Sequence, residues 1–235
     1  MIRQLLIRLD ASLPNPGELE RWVTLAQALD ADLLAQLEED ESLNTLAGLP
    51  FSTEICRSSA MTRPLNNASL DRRMRRNIQA LDRQLAEIAR HQPLKWQVTR
   101  ISQHSSIRPS AGTALLRIGK LHRSYTVAKP GYRPGRPHIA VIHNGDEASE
   151  HALECTRRIA DQFHLPIVLL ALPESPWHQT HGLPEGIAVR TDLAVPEREL
   201  LLPLLRAWQV NLLVLPASLL NDDENLPPVA TLITP

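Results

Sequence analysis

Four residues within "PESPWHQTHGLPEG", Glu174, His178, His181 and Glu185, are of the types that bind zinc. A zinc site needs three or four such ligands at fixed tetrahedral geometry. Here the two histidines stand three apart in a Pro/Gly-rich stretch with no firm spacing, so exposed loop histidines are expected and a metal is not. Cys56 and Cys155 are the two cysteines of the chain. Neither has a CxxC partner or a context that would favour a thiolate, so both are expected as small packing residues. The sequence carries no Gly-x-Ser-x-Gly nucleophile elbow, no Walker loop, and no Gly-x-Gly-x-x-Gly after a strand-like run. No catalytic residue is assigned.

Two further sets of residues could act. His143 ends the apolar run "HIAVIH" and is followed by Asn144 and Gly145. That is the carboxyl end of a strand, where open α/β sheets bind ligands. General acid–base work needs a partner within hydrogen-bond reach. A histidine with no visible partner is expected as a hydrogen-bonded edge residue. Arg72, Arg73, Arg75 and Arg76 crowd one short stretch. Aromatic residues make up 3% of the chain and none lies among these arginines, so the stacking platform of a single-strand binder is missing. A solvated or acid-paired helix face is expected there, and nucleic acid is disfavoured as a partner.

The elements that would position these residues repeat along the chain. "QLLIRLDASLPNPGELERWVTLAQALDADLLAQ" and "HIAVIHNGDEASEHALECTRRIADQFHLPIVLL" align without a gap at an offset of 134 positions. Asn144 then falls on Asp10 and Gly145 on Ala11. Each copy opens with a short apolar run, fit for a strand buried on both faces. A polar turn follows, then a helical pattern. Leu19, Trp22, Val23, Ala26 and Leu29 share one helix face, as do Ala148, Ala152, Leu153, Ile159, Ala160 and Phe163. A second apolar run, "DLLAQL" or "PIVLLAL", closes the unit. Strand, helix, strand with short connections predicts a βαβ crossover in a parallel sheet.

Beyond this shared part the copies diverge. In the first, Leu70, Met74, Ile78, Leu81, Leu85 and Ile88 predict a helix from about Ser69 to His91. "LKWQVTRI" is a third strand, "ALLRIG" a fourth, and "AKPGYRPGRP" the interdomain linker. In the second, "IAVRTDLAV" is the third strand and "PERELLLPLLRAWQV" a helix. "NLLVLPAS" is the fourth strand and "VATLIT" a short final one. Two domains are expected, at residues 1–133 and 134–235.

Of the 235 residues 43% are hydrophobic, and the formal charge is −1. That near-neutral total hides an asymmetry. Residues 57–133 hold 16 Lys+Arg and 3 Asp+Glu, whereas residues 136–235 hold 6 and 13. Opposite charges can favour packing between halves or steer a partner. The longest apolar run, "IVLLAL", is too short to cross a bilayer, and "MIRQLLIRLD" lacks the pattern of a signal peptide. A cytoplasmic protein with no membrane association is expected.

"LDAS" and "HNGDEASEHAL", with "LAGLPFSTEI" and "NLLVLPASLL" further on, resemble the universal stress protein family, most of all its tandem-domain members with degenerate ATP motifs. The resemblance covers nearly the whole chain, residues 102–137 least. It implies two Rossmann-like domains, adenine nucleotide alpha hydrolase-like, each with a parallel sheet and paired as a tandem pseudo-dimer. It also implies ATP binding in some members. There an acidic residue after the first strand touches the nucleotide, and a Gly-x-x-Gly, nine residues, Gly-Ser/Thr loop wraps the phosphates. Asp10 matches the first element and Asn144 replaces it in the second copy. The loop does not match: after the fourth strand Pro216, Ala217 and Ser218 lead into Asp222, Asp223 and Glu224. Pro216 has no N–H, and the acids repel phosphate. Gly119, Lys120 and Arg123 suit an anion better, without the family spacing.

The resulting expectation is a non-enzymatic, stress-related or regulatory protein acting through binding. Its candidate ligand residues are Asp10, Ala11, Asn144, Gly145, Pro216, Ala217 and Ser218. No cofactor is expected, with weak ATP binding in the first domain as the alternative. A nucleotide-dependent hydrolase is the third reading, and it should retain the phosphate loop. The expected partners are an unidentified protein, the other domain of the chain, and a second copy in a homodimer.

Overall fold

A computed structural model describes the chain except residues 10–12, 57–58, 102–108, 119–136, 179–186, 221–225 and 228, and the side chain of Arg198. The chain divides into two compact units. One comprises Met1–Leu6, Thr24–Asp32 and Ile107–Pro235; the other comprises Ile7–Val23 and Leu33–Ser106.

The larger unit is built on a mostly parallel sheet. In chain order its strands are β6 (Thr113–Arg117), β7 (His138–His143), β8 (Ile167–Ala171), β9 (Ile187–Arg190), β10 (Val210–Pro216) and β11 (Ala230–Thr234). Their spatial order is β6-β11-β10-β7-β8-β9. The neighbours from β11 to β9 are parallel, and β6 runs antiparallel to β11. Strands β7 and β8 read as unbroken apolar runs because almost every residue in them is buried. Their core takes in Ala140, Ile142, Val168, Leu170, Leu213 and Leu215.

The βαβ expectation is met at β7, α4 (Glu147–Phe163) and β8. Leu153 and Ile159 on α4 are each 1% exposed, as the periodicity required. Asp146 caps this helix at its N-terminus and His164 closes it in the left-handed conformation. The helix α5 (Arg198–Ala207) precedes β10, with Pro196 just ahead of its N-cap Glu197.

The smaller unit pairs β2 (Asp32–Glu38) in parallel with β5 (Trp96–Ile101). The long helix α3 (Asn67–Ala89) lies where its periodicity placed it, with Leu81 and Leu85 fully buried. Asn66 and Ser69 form a reciprocal capping box at its start. Two features of this unit carried no clear sequence signal. One is the short helix α2 (Glu41–Ala47), capped by Asp40. The other is a hairpin of β3 (Thr53–Ile55) and β4 (Thr62–Pro64).

The remaining elements, β1 (Gln4–Leu9) and α1 (Pro16–Ala28), extend across the division between units. At the start of α1, Asn15 and Glu18 exchange side chain–backbone bonds of 3.0 Å. The offset seen in the sequence reappears in element bounds. Gln4 and Leu9 bound β1, and His138 and His143, each 134 positions later, bound β7.

Candidate functional site

The strand order reverses between β7 and β10. The chain steps outward through β8 and β9 on one side of β7, and through β10 and β11 on the other. A crevice outside the carboxyl ends of the strands at such a reversal is where open α/β sheets hold ligands. Asn144 and Gly145 follow β7, while Pro216 ends β10 and Ala217–Leu219 form a 3-10 turn beyond it. The structure thus brings two of the sequence candidates, Asn144 and Gly145, to the same end of the sheet as Pro216, Ala217 and Ser218. Asp10 and Ala11 lie outside the described residues, as do Gly119, Lys120, Arg123, Asp222, Asp223 and Glu224.

The residue that joins this site is Asp146, in the polar turn "NGDEAS" that follows β7. Its Oδ1 accepts from the Ser149 N–H at 2.7 Å. Its Oδ2 accepts from the Asn144 amide at 3.1 Å and from the Ser218 hydroxyl at 2.8 Å. The Asp146 N–H in turn donates to Asn144 Oδ1 at 3.1 Å. Ser149 turns back, accepting from the Gly145 N–H at 3.2 Å and donating to the Asp146 carbonyl at 2.9 Å. Burial pushes the Asp146 carboxyl up, but the donors from Ser149, Asn144 and Ser218 outweigh it and hold its pKa below the usual value. The N-terminus of α4 therefore faces a carboxylate supplied by the chain itself. The sequence signal was there: Asp-x-x-Ser at a helix start is an N-cap pattern.

Gly145 is fixed by geometry. Its φ is +94°, and an added Cβ would lie 2.8 Å from the Glu174 carbonyl oxygen. The segment after β8 thus crosses directly over the turn after β7.

His143 is fully buried and does have a partner, 32 residues away and so invisible to local pattern. Its Nδ1 and the Ser175 hydroxyl lie 2.9 Å apart. Its Nε2 is 3.2 Å from Glu150 Oε1 but is not aligned for a hydrogen bond. Serine, histidine and carboxylate in a row have the connectivity of a hydrolytic relay. Ser175 is 2% exposed, however, and its Oγ also accepts from the Trp177 N–H at 3.3 Å. A nucleophile must present its oxygen to a substrate; this one is turned into the protein, where it holds the histidine and the following turn.

The other candidates resolve locally. His178 Nε2 is 3.2 Å from the Thr191 carbonyl, while His181 and Glu185 lie outside the described residues. Burial pushes the Cys155 thiol up to about 11, in keeping with an inert packing residue. Among the described residues no group of three or more His, Cys, Asp or Glu could hold a metal. Among them, too, no helix is long and apolar enough to cross a membrane.

No protein-family model matches the chain. No curated protein matches it either. Among solved structures it is similar to a universal stress protein from Archaeoglobus fulgidus DSM 4304, at 6% identity and a TM-score of 0.49, over 97% of this chain and 95% of that one. It is also similar to a cyclodipeptide synthase from Streptomyces noursei, at 13% identity and a TM-score of 0.26, over 83% and 97% of the two chains. A glycosyltransferase from Streptomyces sp. SF2575, complexed with thymidine diphosphate, gives 13% and 0.20 over 91% and 76%.

Proposed function

We propose that the protein is a stress-related or regulatory protein of the tandem universal-stress kind, acting through binding in the cytoplasm and performing no catalysis. The observation that carries this reading is the Asp146 carboxylate at the N-terminus of α4, held by Ser149, Asn144 and Ser218. A phosphate there would compete with an internal anion already satisfied by the donors it would need. The shared 134-residue offset of β1 and β7 supports a duplication, with domains at 1–133 and 134–235. The antiparallel pairing of β6 with β11 supports edge-to-edge joining of the two copies. In this reading ATP has no place in the second copy, and any residual affinity belongs to the first, around Asp10 and Ala11.

The test is thermal unfolding of the full chain with Mg-ATP, alongside native mass spectrometry of the purified protein. A ligand at ~100 times its Kd adds ~2.7 kcal/mol and raises the melting temperature visibly. Any shift should survive Asn144→Ala and vanish with Asp10→Ala. A shift lost on Asn144→Ala, or a copurifying nucleotide still retained by Asp10→Ala, would overturn the reading of the second crevice.

A further inference from the structure

A groove of about 650 Å³ lies between the β3–β4 hairpin and the first turns of α3. Arg63, Arg72, Arg73, Arg75 and Arg76 line it, against one acid, Glu54. The arginines are incompletely compensated. Arg63 pairs with Glu54, and Arg75 pairs with Asp71 at 2.9 Å. Among the described residues, Arg72 and Arg76 donate only through Nε, to the carbonyls of Ala68 and Arg72 on their own helix. Arg73 makes no ion pair among the described residues. Arg72 and Arg76 are like charges four positions apart on α3, flanked by Arg73 and Arg75, so the cluster is unfavourable for α3 by itself. The α3 N-terminus is already closed by Asn66 and Ser69, which leaves the guanidinium groups to meet any anion.

A second feature lies beside the first in sequence. Leu46, Leu49, Phe51, Ile55 and Met61 are half of the ten large hydrophobic residues exposed among the described residues. Phe51 is 97% exposed. They fall between residues 46 and 61, the stretch that includes β3, whose Glu54 lines the groove. Exposed apolar side chains concentrated in this way mark an interaction surface.

We propose that this surface is the docking site for an acidic segment of a partner protein that also carries apolar side chains. The inference rests on the binding reading above only in taking the chain to act through a partner. Guanidinium forks take carboxylates bidentately, which matches the arginine wall. The neighbouring side chains are mainly aliphatic, with Phe51 the single aromatic. Aliphatic groups accept leucine or valine from a peptide but give bases no stacking surface.

The test uses the full chain and fluorescence anisotropy at ~0.15 M ionic strength. The probes are a labelled Glu/Leu peptide, a Lys/Leu peptide of the same pattern, a Glu/Ser peptide and a single-stranded oligonucleotide. The Glu/Leu peptide should bind best, with Glu/Ser weaker and Lys/Leu showing no binding. Arg72→Glu/Arg76→Glu should weaken binding by roughly 10-fold or more, since charge-assisted bonds are lost. Phe51→Ser/Ile55→Ser should weaken it several-fold. These are surface changes, so circular dichroism should show melting no lower than that of the parent. Tighter, arginine-dependent binding of the oligonucleotide would overturn the proposal in favour of nucleic acid. Equal binding of the Glu/Leu and Lys/Leu peptides would overturn it outright, as would no binding of either. Asp146→Ala should leave peptide binding unchanged, so failure here is distinguishable from failure of the nucleotide reading.

Discussion

The Ser218 hydroxyl donates to Asp146 Oδ2 at 2.8 Å, joining the turn after β10 to the N-cap of α4 across 72 positions of chain. The bond spans the point where the strand order reverses, so residues that would otherwise contact a ligand contact each other. Asp146→Ala removes the cap and this tie together and should cost about 1–2 kcal/mol of stability. Ser218→Ala should cost about 1 kcal/mol in the parent chain and nearly nothing in the Asp146→Ala background. Urea unfolding of the four proteins in this cycle measures the coupling. Additive losses would mean that the two side chains do not interact in solution.

Gly145 tests the crossing of the two loops. With φ at +94° and an added Cβ 2.8 Å from the Glu174 carbonyl oxygen, Gly145→Ala combines backbone strain with a clash. It should lose about 1–3 kcal/mol. Gly17 is the contrast: it sits in the first turn of α1, and a Cβ there meets nothing closer than 3.5 Å. Gly17→Ala should be neutral or stabilise by up to about 1 kcal/mol. Melting temperatures moving the same way for both would contradict this geometry.

In the smaller unit, Arg100 at the end of β5 pairs with Glu39 and with Asp71 of α3. Its hydrogen bonds hold both carboxyls below their ordinary pKa values. Depressed acid pKa values contribute stability that is present above the unfolded values, 4.5 for Glu39 and 3.8 for Asp71, and lost as pH falls through the folded ones. Arg100→Gln should therefore be less stable than the parent at neutral pH. The difference should shrink steadily below about pH 4.5, as the carboxyls protonate in both proteins. Unfolding curves collected across acid pH check the sign; a gap that widens on acidification would contradict it. Because the groups are partly exposed, the effect should also weaken in high salt.

What the sequence revealed and what it hid divide along a physical line. Period and run length are local, so β7, α4 and β8 could be read directly, as could the buried stripe of Leu81 and Leu85 on α3. The hairpin of Thr53–Ile55 and Thr62–Pro64 could not, because three-residue strands with mostly exposed side chains carry no alternation. At the candidate site, Asn144, Gly145 and Ser218 were legible from their places at strand ends. The bond joining Ser218 to Asp146, and that between His143 and Ser175, depend on pairing across 72 and 32 positions. Local pattern carries no information on such contacts.

That last pair gives the sharpest test of whether the chain is an enzyme. His143 is buried with Ser175 as the partner of Nδ1, and Glu150 lies near Nε2 without a well-aligned bond. If the arrangement is structural, Ser175→Ala leaves a buried ring nitrogen without its partner and should cost about 1–3 kcal/mol. Hydrolysis of an activated ester, such as p-nitrophenyl acetate, should then proceed at the same rate with the parent protein and the variant. If instead Ser175 were a nucleophile activated by His143, the parent should show a burst of nitrophenol absent from the variant. Its turnover should also fall by roughly 100-fold or more on substitution. Denaturant unfolding and stopped-flow absorbance on the same two proteins separate these outcomes. We expect reduced stability with no burst in either protein.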